Sequence, residues 1–418
     1  MRKELRKNKT PTSKELFLWN MIGSSVYAFA SLLLTYMTIR IVGEDEGGIF
    51  SISLTLAQMF VYIAYFEMHN FQLTDARDKY SFAEYHTVKI VNCVLMIIVC
   101  INYVLFKAYD ISKMITVLLV CLYRLLDGYA DVFESEFHAR GRLDLAGKSM
   151  TYRTILSILV YFVVLSSTCD VIAAVIGAIL SGVVGIVIFD VCVFECVGKI
   201  SICFSVKRIV RIWSECFPLF VGMFLWTYLL SASRIAVDNV MPSEYQSYYQ
   251  VLFLPVSVIN LMAGFLIRPN LRQLTELYMS GSKKKFWKEI SKMLFLIGVF
   301  TIICMIGAYL IGIPILELIV NCELINYRML FVFLIFAGGI NAAGCILYYV
   351  LTIFRQRKSI VFGYGIASLT AMFISTDFTR AWGLWGAAIS YIVVVSILLF
   401  TFVICIFYNH SKCKYRIR

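Results

Sequence analysis

Val171-Ile-Ala-Ala-Val-Ile-Gly-Ala-Ile-Leu-Ser-Gly182 opens an apolar run that extends over residues 171–197. A helix needs roughly 20 apolar residues to cross the ~30 Å hydrocarbon core of a bilayer, and this run is long enough. Similar runs fill nearly the whole chain of 418 residues. The twelve predicted segments are 16–41, 46–69, 86–108, 113–137, 149–168, 171–197, 209–235, 244–267, 289–313, 328–353, 359–376 and 382–408. The sequence therefore predicts an all-α polytopic membrane protein with 12 transmembrane helices.

The composition leaves almost nothing outside these segments. Sixty per cent of the residues are hydrophobic, 15% are charged and the mean hydropathy is +0.81. Such short connections leave no room for a soluble catalytic domain. The 13 cysteines are scattered without the spacing of a metal site, and the four histidines (His69, His86, His138 and His410) are predicted to form no ligand cluster. We therefore predict no catalytic residue, no metal site and no cofactor.

Most of the 38 basic residues fall in every second gap between the segments. Cytoplasmic loops carry the Lys and Arg excess of membrane proteins. The amino terminus, the gap at 268–292 and the tail at 412–418 belong to these alternate gaps, and Lys89 and Arg153 are counted with the gaps beside them. Both termini are therefore predicted to be cytoplasmic. The basic residues outside these gaps are Arg40, Lys107, Lys113, Arg124, Arg234, Arg328 and Arg380. The net charge of +12 is then a topology signal, helped by anionic lipid head groups, and needs no nucleic acid to explain it.

The chain divides into two halves of six segments each. Gly383-Leu-Trp-Gly-Ala-Ala-Ile-Ser390 opens the twelfth segment much as the quoted stretch opens the sixth. The first segments of the two halves also end alike, at Thr38-Ile-Arg40 and at Ala232-Ser-Arg234. We predict an amino-terminal lobe over 1–197, a cytoplasmic loop over 198–208 and a carboxy-terminal lobe over 209–418. Six-plus-six repeats with a central site are a common transporter design.

Polar side chains form stripes on corresponding segments of the two halves. At ~100° per residue, Gln58 and Tyr62 share a face of the second segment, and Gln250 and Asn260 share a face of the eighth. Polar groups are unfavourable in lipid, so the stripes either join helices through hydrogen bonds or line a water-filled cavity between the halves. We favour the cavity, and we add Asn341, from the glycine-rich stretch of the tenth segment, to its predicted lining.

The fourth segment is the most highly charged. Arg124, Asp127, Asp131 and Glu134 follow at spacings of three, four and three residues, which places them on one stripe. One interpretation is a self-neutralised set of ion pairs, with Asp131 and Glu134 at the membrane interface. The other assigns a function to Arg124 and Asp127, because these two lie near the middle of the span, where snorkelling is difficult.

The arginines at the outer ends of the first and seventh segments differ in placement. Arg234 lies on the polar stripe of its helix together with Asp238, whereas Arg40 points away from its own stripe. Arg234 is therefore the better candidate for binding an anion. In the sixth segment, Asp190 and Glu195 are interpreted as residues of the cytoplasmic end.

Helix-breaking residues predict bends in the second half. Pro218 and Pro255 are expected to interrupt the seventh and eighth segments, and the stretch 338–344 is expected to interrupt the tenth. Such breaks are tolerated in membranes where neighbouring helices or water satisfy the backbone. A transporter whose lobes rock against each other would use them.

Several motifs resemble those of one known family. They are Lys14-Glu-Leu-Phe-Leu-Trp-Asn20, Arg40-Ile-Val-Gly-Glu-Asp-Glu-Gly-Gly-Ile-Phe-Ser51, Phe137-His-Ala-Arg-Gly-Arg142 and the stretch at 383–390. With the twelve segments, they resemble the polysaccharide-export flippases of the multidrug/oligosaccharidyl-lipid/polysaccharide exporter superfamily, which includes the O-antigen and lipid II flippases. The lipid II branch has several arginines in the first helix of each lobe and two additional helices. The first segment here has only Arg40, which favours the O-antigen or capsule-repeat branch.

The resemblance implies a V-shaped pair of lobes that open alternately to the two sides of the membrane. It implies a lipid-linked oligosaccharide as substrate, whose anionic pyrophosphate would meet Arg234 and Arg124. We expect a flippase for undecaprenyl-pyrophosphate-linked repeat units in the bacterial inner membrane, driven by a proton or sodium gradient or by the membrane potential, with Asp127 titrating. Membrane lipids, a polysaccharide polymerase and glycosyltransferases are its expected partners.

Two alternatives come from other functional classes. A multidrug and toxin extrusion (MATE) pump would predict an acidic cavity, whereas the deep charges here are mixed and include arginine. A membrane acyl- or glycosyltransferase would need a His or Asp cluster at one membrane face, and the sequence indicates none. The chain has no Gly-x-x-x-x-Gly-Lys-Ser/Thr loop, so it is not expected to hydrolyse ATP.

Overall fold

The computed structural model describes residues 1, 11–74, 80–196, 198–203, 205–267 and 270–413, and all regular secondary structure in these ranges is helical. Helices suit an apolar chain because they satisfy their own backbone hydrogen bonds in lipid. The basic residues that the orientation argument takes from 2–9, 75–79, 268–269 and 414–418 lie outside the described residues.

The helices of the first half begin at polar caps. Thr12 and Glu15 form a capping box at the start of the first helix, and Ser81 and Glu84 form one further along the chain. The helices are α1 (Ser13–Val42), α2 (Glu44–Tyr65), the short α3 (Met68–Thr74), α4 (Phe82–Lys107), α5 (Ile111–Ala139), α6 (Leu143–Thr168) and α7 (Val171–Phe194).

The second half contains one short helix among long ones. The helices are α8 (Val206–Val240), α9 (Ser243–Ile267), the short α10 (Leu271–Met279), α11 (Lys283–Val320), α12 (Arg328–Ile353) and α13 (Arg357–Cys413). The helical backbone of α13 breaks at Trp382 and Gly383. Gly383 has a φ of 58°, in the left-handed region that glycine tolerates, and the break coincides with the predicted start of the twelfth segment.

Ten helices in the described ranges are long and apolar enough to cross a membrane. Helix α5, which carries the charged stripe of the fourth predicted segment, is not among them, and α13 counts as one. Many large apolar side chains are exposed; Phe106 is 86% exposed and Leu318 is 76% exposed. Contiguous exposed apolar surface marks a membrane-facing protein. The prediction of a multi-pass all-α membrane protein is confirmed, whereas the count of twelve crossings stays a prediction.

The predicted helix breaks in the second half are wrong. Helix α8 continues through Pro218, α9 continues through Pro255 and α12 is helical through 338–344. A Cβ on Gly339 would lie 2.5 Å from a methyl carbon of Thr301, so this glycine allows α11 and α12 to pack closely. The irregular turns lie elsewhere, as π-helical turns at Ile186–Val191 in α7 and at Ala308–Gly312 in α11.

The chain forms two compact units, Met1–Phe224 and Leu225–Arg418. In the amino-terminal unit α1 packs along α6 and α2 packs along α5, while in the carboxy-terminal unit α12 packs against α9, α11 and α13. The first part of α8 belongs to the amino-terminal unit, where Trp213 Nε1 donates a hydrogen bond to Asn92 Oδ1 at 2.8 Å. The lobe boundary predicted at 198–208 stays a prediction, because packing does not test a sequence repeat.

Candidate functional site

The amino-terminal unit contains a buried ion network formed by Arg124, Asp127, Glu134, Arg153 and Asp190. Arg153 donates hydrogen bonds to Glu134 at 2.9 Å and to Asp190 at 2.8 Å, and it lies 3.5 Å from Asp127. Arg124 Nη1 donates to Asp127 Oδ2 at 3.0 Å. Helices α5, α6 and α7 each contribute to this amino-terminal ion network, which is therefore a tertiary feature.

A second group of polar residues lies beside this network. Lys89 Nζ, which is fully buried, donates to Asp131 Oδ2 at 2.7 Å, and His69 Nδ1 lies 2.8 Å from the other oxygen of the same carboxylate. The other ring nitrogen of His69 lies 3.4 Å from His138 Nδ1. Two of the four histidines thus form a close pair, which the sequence does not indicate because 69 residues separate them.

The structure changes the interpretation of several charged residues. Lys89 and Arg153 were grouped with loop residues for the orientation argument, but they are 0% and 3% exposed and lie within α4 and α6. Asp131 and Glu134 are buried ion-pair partners, and Asp190 is fully buried. Each of these five residues is paired with a residue on another helix, so the spacing of residues along one helix could not indicate the pairs.

The predicted residues Arg124, Gln58 and Tyr62 lie near one another in the amino-terminal unit. Gln58 Nε2 donates to Ser31 Oγ at 2.9 Å, and Arg124 Nη2 contacts the same oxygen. Tyr62 packs edge-on against Tyr65, with ring centroids 5.7 Å apart. Because Asp127 neutralises the charge of Arg124, this arrangement is a weaker anion site than the sequence suggests.

The carboxy-terminal unit contains a buried arginine of a different kind. Arg234 is 8% exposed, and its guanidinium donates to Gln250 Oε1 at 3.4 Å and to the Leu230 carbonyl at 3.1 Å. It also lies over the ring of Phe253, 5.0 Å from the centroid. No carboxylate in the described part of the chain forms an ion pair with it. Asp238, one turn further along α8, is half-buried.

Neutral polar groups surround this cation. Gln246 lies one turn before Gln250 on α9 and is 1% exposed, yet neither terminal atom of its side chain has a hydrogen-bond partner among the described residues. The Nε atom of Arg234 is also buried and has no hydrogen-bond partner among the described residues. The hydroxyl groups of Tyr249 and Tyr391 are close enough to interact with the arginine charge. We call Arg234, Gln246, Tyr249, Gln250 and Tyr391 the Arg234 site.

The polar stripe of α9 continues beyond the Arg234 site. Asn341 Nδ2 on α12 donates to Asn260 Oδ1 at 3.1 Å, so these two predicted residues are neighbours. Asn341 is fully buried and its Oδ1 atom has no hydrogen-bond partner among the described residues. Buried polar groups usually find partners, so atoms left without one indicate a place for water or ligand. The role of the nine predicted site residues stays a prediction.

The electrostatic difference between the units determines what each can bind. An uncompensated buried cation attracts an anion, because burial without a counter-ion is costly. The amino-terminal ion network already contains its own counter-ions and offers carboxylates in addition. The Arg234 site therefore suits an anionic group, whereas the ion network suits the binding or exchange of a cation.

Comparisons with known proteins add information on the fold. The sequence matches no protein-family model. It is 22% identical over 292 residues, 69% of this chain and 72% of the relative, to the capsular polysaccharide biosynthesis protein CapF of Staphylococcus aureus.

Solved structures of transporters share the architecture. The lipid II flippase MurJ, in an inward closed conformation, matches with a TM-score of 0.68 and 14% identity over 92% of this chain and 87% of that chain. An inward-facing MATE family multidrug resistance transporter of the MOP superfamily matches with a TM-score of 0.63 and 11% identity over 95% and 98% of the two chains. Similarity at these identities concerns the fold and leaves the function open. The chain thus shares the fold of these transporters, and the resemblance to the superfamily is confirmed at the level of the fold.

Proposed function

We propose that this protein is a flippase that moves lipid-linked oligosaccharide repeat units across the bacterial inner membrane for the synthesis of a surface polysaccharide. The observation that carries the proposal is the Arg234 site, where a buried guanidinium has neutral polar neighbours and, among the described residues, no carboxylate partner. A substrate that joins a sugar chain to a prenyl tail through a pyrophosphate supplies the missing anion.

The geometry of the Arg234 site suits a phosphate group. A guanidinium offers a planar fork of N–H donors that can bind two phosphate oxygens at once. The amides of Gln246 and Gln250 and the hydroxyls of Tyr249 and Tyr391 are uncharged, so they add hydrogen bonds without neutralising the arginine. The pyrophosphate would be bound there by charge, while the uncharged sugars would contact polar side chains such as Asn260 and Asn341.

Two known proteins support this substrate class. One structural neighbour is a lipid II flippase, and the relative in Staphylococcus aureus is a capsular polysaccharide biosynthesis protein. The proposed substrate is an undecaprenyl-pyrophosphate-linked repeat unit, delivered by glycosyltransferases and passed to a polymerase. Transport would follow alternating access and would be coupled to a proton or sodium gradient, or to the membrane potential, with Asp127 as one candidate for the titrating group.

The proposed topology has twelve crossings with both termini in the cytoplasm. It places Cys169, between α6 and α7, outside and Cys196, after α7, inside; both side chains are exposed. In a background that lacks the other cysteines, a membrane-impermeant maleimide should label Cys169 in intact cells and should label Cys196 after the cells are opened. Labelling of Cys196 in intact cells would contradict the topology.

Complementation tests the transport function. The gene is expressed in a bacterium that lacks its own repeat-unit flippase, and surface glycan and trapped lipid-linked intermediate are measured together. Wild-type protein should restore surface glycan and remove the intermediate, whereas Arg234→Gln should leave the intermediate trapped. Arg380→Gln is the matched control, because Arg380 is exposed and pairs with Asp377 at 3.4 Å. Equal transport by both variants would contradict the role of Arg234.

One observation favours a second candidate, a cation-coupled drug exporter. Four carboxylates of the amino-terminal unit (Asp127, Asp131, Glu134 and Asp190) lie among three Lys or Arg side chains (Lys89, Arg124 and Arg153). This excess of acid suits a cationic drug or a coupling ion, and MATE transporters share the fold. Efflux of a cationic dye that depends on Asp127, with no restoration of surface glycan, would favour this candidate over the flippase.

A further inference from the structure

Eight basic residues collect at one end of the carboxy-terminal unit. They lie on the first turns of α11 and on the turn that joins α12 to α13. The set, which we call the basic face, is Lys283, Lys284, Lys285, Lys288, Lys292, Arg355, Arg357 and Lys358. All but Lys283 are exposed.

Aromatic packing brings the two parts of the basic face together. The ring of Phe354, which precedes Arg355, stacks on Tyr278 of α10 with centroids 4.6 Å apart. It also packs against Phe286 of α11, 5.9 Å away. Tyr278 and Phe286 contact each other at 5.7 Å. These contacts fix α10, the start of α11 and the start of α13 as one surface.

The basic face carries positive charges that the described part of the protein does not pair. Among the described residues, none of the eight side chains forms an ion pair. A positive-inside bias explains why basic residues occur at this membrane face, but it does not require eight of them on one packed surface. Such a cluster next to a membrane-spanning helix is typical of a surface that binds anionic lipid head groups.

Helix α10 has the character of a helix that lies in a membrane interface. It is short, with Leu274 almost fully buried against the unit and Met279 74% exposed. An amphipathic helix beside a basic cluster is the arrangement that places a protein surface at head-group depth.

A groove in the same surface is suited to an acyl chain. It has a volume of about 440 Å³ and is lined by Lys358, Ser359, Phe362, Ile404, Cys405 and Tyr408. Lys358 and Tyr408 lie at its polar end, and the exposed side chains of Phe362 and Ile404 lie one helical turn deeper. A cation at the mouth and apolar walls below it match the two parts of a phospholipid.

We propose that the basic face and its groove form a binding site for an anionic phospholipid of the leaflet that this surface meets. The phosphate would be bound by Lys358 and the lysines of α11, and an acyl chain would lie along Phe362 and Ile404. The site lies apart from the Arg234 site in sequence and chemistry, and it does not depend on what the protein transports.

Lipid binding by the purified full-length protein tests the proposal. The probes are phosphatidylglycerol and phosphatidylcholine with the same fluorescent acyl chain, titrated in detergent micelles. Each lysine near an anionic lipid surface contributes about 1 kcal/mol, which corresponds to a roughly fivefold change in affinity. The variant Lys284→Gln/Lys285→Gln/Lys288→Gln should lose on the order of 100-fold in apparent affinity for phosphatidylglycerol and little for phosphatidylcholine.

A matched control removes the same charge elsewhere. Lys14, Lys199 and Lys207 are exposed lysines of the amino-terminal unit, and their replacement by Gln should leave the affinity nearly unchanged. An equal loss in both triple variants would show a general charge effect and would overturn the site. Unchanged thermal unfolding in phosphatidylcholine nanodiscs would show that the variants remain folded.

Two further measurements separate the head group from the acyl chain. Phe362→Ala should weaken binding of both lipids by a similar factor, and no change in either would overturn the groove. Inorganic phosphate should displace phosphatidylglycerol poorly. Displacement by phosphate at the concentration of the lipid would indicate an anion site that does not recognise lipid.

Discussion

Substitution of two buried arginines by the same residue should change the stability of the protein to very different extents. Arg153 and Arg234 are 3% and 8% exposed, so both are shielded from water. Arg153 donates to Glu134 and Asp190 at 2.9 and 2.8 Å, whereas Arg234 has an amide, a carbonyl and an aromatic ring as its neighbours. Replacing each by Met removes the charge and keeps a side chain that fills space.

The expected magnitudes follow from these partners. Arg153→Met leaves two buried carboxylates without their cation, and breaking a buried ion pair costs about 3–5 kcal/mol. Arg234→Met loses a cation–π contact worth roughly 1–2 kcal/mol together with two hydrogen bonds. It also removes a buried charge that has no counter-ion in the described ranges, and the desolvation penalty of such a charge is several kcal/mol. These contributions oppose each other, so Arg234→Met should leave stability within about 2 kcal/mol of the wild type.

Thermal unfolding followed by tryptophan fluorescence measures the difference. For a unit of this size each kcal/mol shifts the midpoint by about 2–4 °C, so Arg153→Met should lower it by roughly 10 °C. Arg234→Met should unfold close to the wild-type temperature while failing in the complementation assay. All variants are compared in one detergent at one scan rate, because unfolding of large proteins is often irreversible.

Two results would refute this reasoning. If Arg234→Met lowers the unfolding midpoint as much as Arg153→Met does, Arg234 has a structural role and does not serve to bind a ligand. An unaltered midpoint in Arg153→Met would mean that water or protons compensate Glu134 and Asp190. Arg153→Lys serves as the control, because it keeps the charge but loses the fork geometry, and should fall between the wild type and Arg153→Met.

Further substitutions test the packing and pairing of the helices. Lys89→Met should destabilise the protein by about 3–5 kcal/mol, and adding Asp131→Leu should restore much of this loss, because the uncompensated carboxylate is then gone. If the losses of stability in the two single variants add up in the double variant, the result would argue against the ion pair between Lys89 and Asp131. Gly147→Ala should cost about 1–3 kcal/mol, since a Cβ there would lie 2.3 Å from the Trp19 carbonyl oxygen. Gly344→Ala is the matched control, because nothing lies within 4 Å of the position that the new Cβ would take. The unfolding midpoint of this variant should equal or exceed that of the wild type.

The candidate site could be predicted in part, because helical periodicity shows which residues share a face of the same helix. Arg234 and Gln250 were each identified from the stripe of their own helix, and the structure places them in contact. The partners of Arg153 and Lys89 were missed, since they lie 19 to 42 residues away on other helices. Gln246 lies one turn before Gln250 on the same helix, but only the packing shows that its amide is buried without a partner among the described residues.

The sequence by itself determined the membrane class, the all-helical architecture and the approximate extent of each segment. A segment that crosses lipid must be a long apolar run whose backbone groups form hydrogen bonds with one another. Such runs can be recognised directly in the sequence. The tertiary structure decided which charges are neutralised. Arg153 and Arg234 are the same residue type, and they differ in the side chains that neighbouring helices place beside them. Whether a buried cation serves stability or is available to a ligand depends on that arrangement, which no single segment encodes.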